Sequence, residues 1–536
     1  MAFDRRGVIR GRRLDPVPQT VGVRPSNAVR RRMNMKWIVF LAGFCLMLVQ
    51  IVSGRAMAPY VGVSVYVWTG VIGTTLLGII FGYAAGGILA DVNGSKKTLG
   101  SSLALAGLAA LASNYILIIL GERVGAGSMP LLARVIVMSF CAFFPVAFFL
   151  STVTPQAVKQ ALSDLSKTGG TVGTLSAWSA VGNITGTFAG GYVLISALGT
   201  KGVLTGVSIL LLALGLWVAR GERLWRNKFA VVAGIFLLGA FIVPGACRME
   251  TNYFCIRILD SQNEEGEQTH TLRLDHLVHS YVNPSNPLDL GYEYEQVYAN
   301  LIASRYATSS AFAAYFIGGG GYVLPRYLEA TYPASTSIVA EIDPGVTEAN
   351  HRLMGLSRDT RIVTAGEDAR MHLARGGDEP YDLVFGDAFN DFSVPYHLTT
   401  VEFHRLLKSR MSPDGIYALN IIDDSRYGDF LASMVRTLRE VWTRVYVAPQ
   451  SQAIMPGRNT IVLLATDVPI DQDAWYSTVS PAAVAKDLSE EARRTAVNLI
   501  DPTEIDALLE RKRAPALTDD FVPTDRYLAP VFTDAY

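Results

Sequence analysis

The chain has 536 residues, a formal net charge of zero, 50% hydrophobic residues and a mean hydropathy of +0.27. That length calls for two or three domains, the neutral charge excludes bulk electrostatic attraction to nucleic acid, and the hydropathy favours a membrane protein. Four cysteines without CxxC spacing exclude a zinc ribbon and a disulfide-dense scaffold. The charges are uneven: the first 250 residues are largely apolar, and the remainder has a soluble composition.

Residues 1–36 form a basic arm that includes Arg5, Arg6, Arg30, Arg31, Arg32 and Lys36 and ends where an apolar run begins. By the positive-inside rule this reads as a disordered cytoplasmic flank, too long and too basic for a typical cleaved signal peptide. Nucleic-acid binding is the weaker alternative. Apolar runs at about 37–57, 66–90, 98–120, 131–151, 172–197, 201–219 and 229–246 predict seven transmembrane helices over 37–246. Lys96, Lys97, Lys159, Lys167, Arg220, Arg223 and Arg226 fall in loops on the cytoplasmic side of that topology. Everything after residue 246 is then expected outside, as part of a multi-pass cell-membrane protein whose first partner is the lipid bilayer. Cys45 and Cys141 sit in apolar runs as packing residues, whereas Cys247 and Cys255 fall in an oxidising space where they can pair. Gly78, Gly82 and Gly86, and likewise Gly182, Gly186 and Gly190, recur every fourth residue and predict close helix–helix contact.

A small β-hairpin subdomain with a linker helix is predicted over 247–300, from the alternation at Tyr253–Leu259 and Thr269–Val282 and the helical run YEYEQVYANLI. From Ala313 the pattern alternates strand and helix, as in a Rossmann-like, methyltransferase-type α/β domain over 301–466. The stretch AYFIGGGGYVLPRYL, Ala314–Leu328, breaks from an apolar strand into Gly318, Gly319, Gly320 and Gly321 and then into a helix. Bare backbone there admits a ligand to main-chain N–H groups. The next strand ends at Glu341, 22 residues after Gly319, where a carboxylate can accept both ribose hydroxyls. Asp368 follows the third strand and Asp387 the fourth. Further strands are expected at Gly415–Ile421, Arg444–Val447 and Thr460–Ala465, and a helical extension over 467–536. His279, Tyr281 and His397 read as core or rim residues, and no spacing supports a metal. Three acidic residues after successive strands point jointly to a nucleoside site.

The segment Gly54–Asp91, ending in GGILADVNGSKK, resembles the membrane part of fused major-facilitator-like/spermidine synthase proteins. The soluble half resembles the spermidine synthase (polyamine aminopropyltransferase) family through LDHLVHS, YEYEQVYANL, FIGGGG, VAEIDP, GEDA and GDAFND. The resemblance implies a metal-free transferase that moves an aminopropyl group from decarboxylated S-adenosylmethionine to a putrescine-like amine and releases methylthioadenosine. It implies Asp387 as the catalytic carboxylate, Gly318–Gly321, Glu341, Asp368 and Ala369 around the nucleoside, and His279, Tyr294, Asn390 and Asp391 around the acceptor. A homodimer is among the assemblies it implies. The chain departs from the family at three places. Gly321 stands for an aspartate, His279 for a glutamine, and Asn390 for the second catalytic-loop aspartate, with Asp391 following. Two alternatives therefore stay open. One is an S-adenosylmethionine-dependent methyltransferase, for which Gly321 would leave room for a different sulfonium substituent. The other is a non-enzymatic membrane sensor or transporter with a nucleoside-binding domain.

Overall fold

A computed structural model describes residues 34–536, except 126–128, 163, 221–226, 228–229, 232–233, 235–237, 240–244, 264–265, 378–379, 389–393, 425, 427, 451–453, 456 and 534–536. The basic arm and most of the expected seventh span lie outside the described residues.

Among the described residues, five apolar helical stretches are long enough to cross a membrane: Met35–Val61, Val65–Asn93, Lys96–Gly121, Leu131–Ala161 and Leu165–Val218. The last is 54 residues long, too long for one crossing of a bilayer core about 30 Å thick. It breaks at Gly199, whose φ of 65° and ψ of 173° no helix contains. That break falls between the two runs expected at 172–197 and 201–219, so six of the seven expected spans correspond to described helix. Helix packing explains the glycine spacing. In α1 (Met35–Val61) the carbonyls of Phe40 and Phe44 lie where a Cβ on Gly182 or Gly186 of α6 (Thr168–Ala189) would sit, at 2.1 and 2.3 Å. In α2 (Val65–Asn93), Gly78, Gly82 and Gly86 meet the backbone of Phe144, Phe148 and Thr152 in the same way, at 2.4–2.9 Å. Any side chain there would push the helices apart.

The soluble half opens with a four-stranded antiparallel sheet, β1 (Met249–Glu250), β2 (Cys255–Gln262), β3 (Gln268–Leu274) and β4 (Leu277–Val282), paired in chain order. Its β3–β4 turn places Asp275 at a φ of 51°, and the Asp275 carboxylate accepts the Cys255 N–H at 2.8 Å. Cys247 and Cys255 form a disulfide. Helix Glu293–Arg305 then leads to a seven-stranded sheet made of β5 (Ala313–Ile317), β6 (Thr336–Ala340), β7 (Val363–Ala365), β8 (Tyr381–Gly386), β9 (Met411–Asp424), β10 (Arg444–Pro449) and β11 (Arg458–Thr466).

The sheet order is β10-β11-β9-β8-β5-β6-β7; β5 through β9 run parallel, and β11 is antiparallel to both neighbours. This is a Rossmann-like sheet of the methyltransferase type. Alternation along β5 feeds two cores: Ala314 and Phe316 join Tyr327, Phe385 and Trp475 on one face, while Tyr315 and Ile317 join Phe403, Tyr417 and Trp442 on the other. The chain order reverses between β5 and β8, and a crevice opens at the carboxyl ends of those two strands, where open α/β sheets hold ligands. The C-terminal extension packs back on helix Glu293–Arg305; Asn300 Nδ2 donates to the Trp475 carbonyl at 2.9 Å.

Candidate active site

β5 ends at Ile317 and β8 at Gly386, so the glycine loop and Asp387 emerge side by side across the reversal. The Asp387 N–H donates to the Ile317 carbonyl at 3.0 Å, and a Cβ on Gly318 would lie 2.7 Å from the Asp387 carbonyl oxygen. Gly318 has a φ of 95°, so the left-handed backbone and the close approach both demand glycine there. A cavity of about 300 Å³ sits above these ends. Among its lining residues are Gly318, Gly319, Gly320, Glu341, Asp368, Ala369, His279, Tyr294 and Asp387. The topology thus brings together residues drawn from more than a hundred positions of chain.

At the glycine end, Glu341 is 5% exposed, and each of its carboxylate oxygens already has a backbone donor. Oε2 accepts the Gly319 N–H at 2.8 Å and Oε1 the Asp343 N–H at 2.9 Å. Burial raises its pKa, and those N–H groups act against the rise. Each oxygen keeps a second lone pair for a ligand hydroxyl. Asp368 caps helix Ala369–Arg375 by accepting the Met371 N–H at 3.0 Å, and its other oxygen meets His397 Nε2 at 2.7 Å. Partial burial pushes Asp368 up, but the hydrogen bonds from His397 and Met371 outweigh it and hold the carboxyl below its ordinary range. His397 therefore belongs to the cavity wall as the partner of Asp368, a role that no residue spacing suggests.

At the other end, Asp387 is gripped from two sides. Tyr294 donates its hydroxyl to Oδ2 at 2.6 Å, and Asn420 of β9 donates from Nδ2 to Oδ1 at 3.0 Å. Desolvation raises the Asp387 pKa against those two bonds. Burial, and then the Asp387 charge, lift the Tyr294 hydroxyl well above its ordinary value and keep it protonated as a donor. Tyr298 lines the same end and packs edge-on to Tyr294, with ring centroids 5.6 Å apart. Glu295 is 5% exposed, and one of its oxygens accepts the Tyr292 N–H at 2.9 Å as part of a capping box. Desolvation lifts it to about 8, with the Asp387 charge adding to the rise. Burial pushes His279 down to about 4, so it is a neutral imidazole, and its Nε2 has no hydrogen-bond partner among the described residues.

Gly321 is placed differently from the expectation. It is absent from the cavity lining, its N–H donates to Ser280 Oγ at 2.8 Å, and an added Cβ would meet Ser280 Cβ and Val282 Cγ2, each at 2.6 Å. Ser280 and Val282 of β4 thus occupy the volume that a side chain at position 321 would take, so the glycine opens no space there. Asn390 and Asp391 lie outside the described residues. No group of three or more metal-ligating side chains occurs among the described residues. The sequence reading missed Asn420 and Glu295. Asn420 did leave a signal as the lone polar residue in the apolar run IYALNII.

Sheet order and site together define an α/β protein with a crevice of about 300 Å³ at the strand ends, lined by the glycine loop, Glu341 and Asp387. No protein-family model matches the chain. It is 32% identical over 180 residues to the polyamine aminopropyltransferase of Vibrio vulnificus, which covers 31% of this chain and 57% of that protein. It is 26% identical over 124 residues to a probable polyamine aminopropyl transferase of Bifidobacterium longum, which covers 23% of this chain and 27% of that protein. The chain thus spans less than two thirds of the curated relatives it matches. A probable spermidine synthase from Corynebacterium glutamicum superposes with a TM-score of 0.41 at 20% identity, over 49% of this chain and 93% of that one.

Proposed function

We propose that the chain is a membrane-anchored aminopropyltransferase that uses decarboxylated S-adenosylmethionine as substrate and an amine as acceptor. The observation that carries this reading is Asp387, a desolvated carboxylate held by Tyr294 and Asn420 in the wall of the cavity that the glycine loop and Glu341 also line. The similarity to polyamine aminopropyltransferases supports it.

In this reading Gly318–Gly320, Glu341, Asp368 and Ala369 take the nucleoside, and Asp387, Tyr294 and His279 face the acceptor. An acceptor ammonium gives a proton to Asp387, and the freed amine nitrogen attacks the aminopropyl carbon next to sulfur. The N–C bond forms as the C–S bond breaks, and the sulfur leaves as the neutral thioether of methylthioadenosine. The raised pKa of Asp387 makes it a better proton acceptor than an ordinary surface carboxylate. Placement supplies the remainder, since a sulfonium is already a good leaving group.

Incubating the full-length protein with decarboxylated S-adenosylmethionine and putrescine releases methylthioadenosine in this reading. Calorimetric binding of that ligand without turnover sinks the reaction while leaving a binding function. Preference for S-adenosylmethionine itself over its decarboxylated form points instead to methyl transfer.

We further propose that the soluble half lies on the outer face of the membrane. The basic arm, the seven apolar runs of the sequence and the Cys247–Cys255 disulfide support this placement, because such bonds persist in oxidising compartments. Reporters fused at the C-terminus test it: alkaline phosphatase is expected to be active there and a cytoplasmic reporter silent.

A further inference from the structure

The segment Cys247–Cys255 is a partition between two cavities. Cys247 and Glu250 line a second cavity of about 240 Å³ on the membrane-helix side, together with Arg55, Tyr60 and Lys201. Tyr253 and Phe254 wall the catalytic cavity. The disulfide ties the two ends of this segment together.

From below, the segment is held by one side chain of α1. Arg55 Nη1 donates to the carbonyls of Asn252 at 2.7 Å and Tyr253 at 3.2 Å, and Nη2 donates to that of Thr251 at 2.7 Å. Its Nε lies 4.0 Å from Glu250 Oε1. A planar guanidinium with five fixed donors suits a cluster of carbonyls in a way that an ammonium does not.

On the opposite side of the segment, Thr251 Oγ1 accepts the N–H groups of Tyr253 and Phe254, at 3.0 and 2.9 Å, and donates to Asp343 Oδ2 at 2.5 Å. Asp343 caps the next helix by accepting the Gly345 N–H at 2.9 Å, and its own N–H donates to Glu341. Glu341 in turn takes the N–H of Gly319. An unbroken set of contacts therefore runs from Arg55 through Thr251, Asp343 and Glu341 to the glycine loop. Ser196 Oγ, donating to Asn252 Oδ1 at 2.6 Å, and the Thr200 N–H, donating to Glu250 at 2.9 Å, hold the same segment, whereas another tie between the two halves, Arg257 Nη2 to the Pro59 carbonyl at 2.9 Å, bypasses this route.

We propose that Arg55 is a positioning residue for the nucleoside end of the active site, so that the α/β domain reaches full affinity for adenosyl ligands only while docked on its own membrane helix. The proposal rests on the nucleoside reading above. It assigns the membrane half a part in building the site, beyond anchoring it.

The test is calorimetric titration of methylthioadenosine into the full-length chain in lipid nanodiscs. Arg55→Ala and Thr251→Val are each expected to weaken binding by about 5- to 30-fold, the loss of one or two charge-assisted or buried hydrogen bonds. Because both act through the same contacts, the double variant should lose no more than the worse single. Arg55→Lys, which keeps the charge and loses the fork, should fall between wild type and Arg55→Ala. Arg257→Ala, which cuts the bypassing tie, should stay within about twofold of wild type. Equal affinity of the wild type and Arg55→Ala overturns the proposal, and so does an equal loss in Arg257→Ala, which would mean docking in general and not this route. Absence of binding by the wild type overturns the nucleoside reading together with the proposal.

Discussion

The proposed nucleoside and acceptor parts of the cavity are built by different means. At the nucleoside end, Glu341 is fixed by the N–H groups of Gly319 and Asp343, and Asp368 is fixed by the N–H of Met371 three residues on. These are mostly main-chain arrangements of the kind found where a strand ends in a glycine turn or a helix cap, with the His397 side chain, 29 residues on, as the second partner of Asp368. At the acceptor end, Asp387 is fixed by side chains from distant positions: Tyr294, 93 residues before it, and Asn420, 33 residues after it. The nucleoside end is thus a property of the α/β fold itself. The proposed acceptor part is a property of how a preceding helix and a neighbouring strand happen to be furnished.

Substitutions can break that contrast. The largest effect is expected for Asp387→Asn, which removes the proton acceptor; turnover should fall by about 10²- to 10⁴-fold while methylthioadenosine binding measured by calorimetry stays near wild type. Glu341→Gln should do the reverse, weakening nucleoside affinity by about 10- to 100-fold, since it replaces a charged acceptor with an amide. Should it lower turnover at saturating ligand as much as Asp387→Asn does, the two ends are not separable. Tyr294→Phe leaves Asp387 with one partner and should cost about tenfold in turnover. The lost hydrogen bond favoured the ionised carboxylate, so its pKa rises further and the acid limb of the pH–rate profile moves to higher pH. An acid limb that stays in place would show that Tyr294 does not govern this group.

The smallest effect concerns Glu295. Its pKa is raised from 4.5 to about 8 in the folded chain, so the native state holds a proton that the unfolded state releases between those values. Stability therefore declines as pH rises from about 4.5 to about 8, and Glu295→Gln should flatten that part of the melting-temperature profile. An unchanged slope would mean that Glu295 is ionised in the native protein.

Much of this was legible in the sequence, for identifiable reasons. The strand–glycine–helix punctuation and the acidic residues after Ala340 and Gly386 are local signals, and β5, β6 and β8 fall where the pattern put them. The glycines spaced by four in α2 and α6 announced backbone contact between helices, because only the absence of a side chain allows it. Tyr294 was legible through the family motif, whereas Asn420 and Glu295 looked like ordinary polar residues in a strand and a helix. Nothing local distinguishes a buried Glu that caps its own helix from one that faces a cavity. The substitution at Gly321 misled for the opposite reason. Read alone, a missing aspartate suggests free space, yet Ser280 and Val282 of the hairpin occupy it.

By itself the sequence determined the division into an apolar helical half and an α/β half, the strand order within each motif, and the three carboxylates at strand ends. Hydropathy, period and turn chemistry are properties of neighbouring residues, so they survive without coordinates. Only the tertiary structure decided which side chains surround Asp387, that His397 partners Asp368, and that Arg55 of the first apolar helix grips the loop walling the cavity. Those contacts join residues tens to hundreds of positions apart. Their partners are selected by packing and by the need of each buried polar group for a hydrogen bond, and no local pattern records that choice.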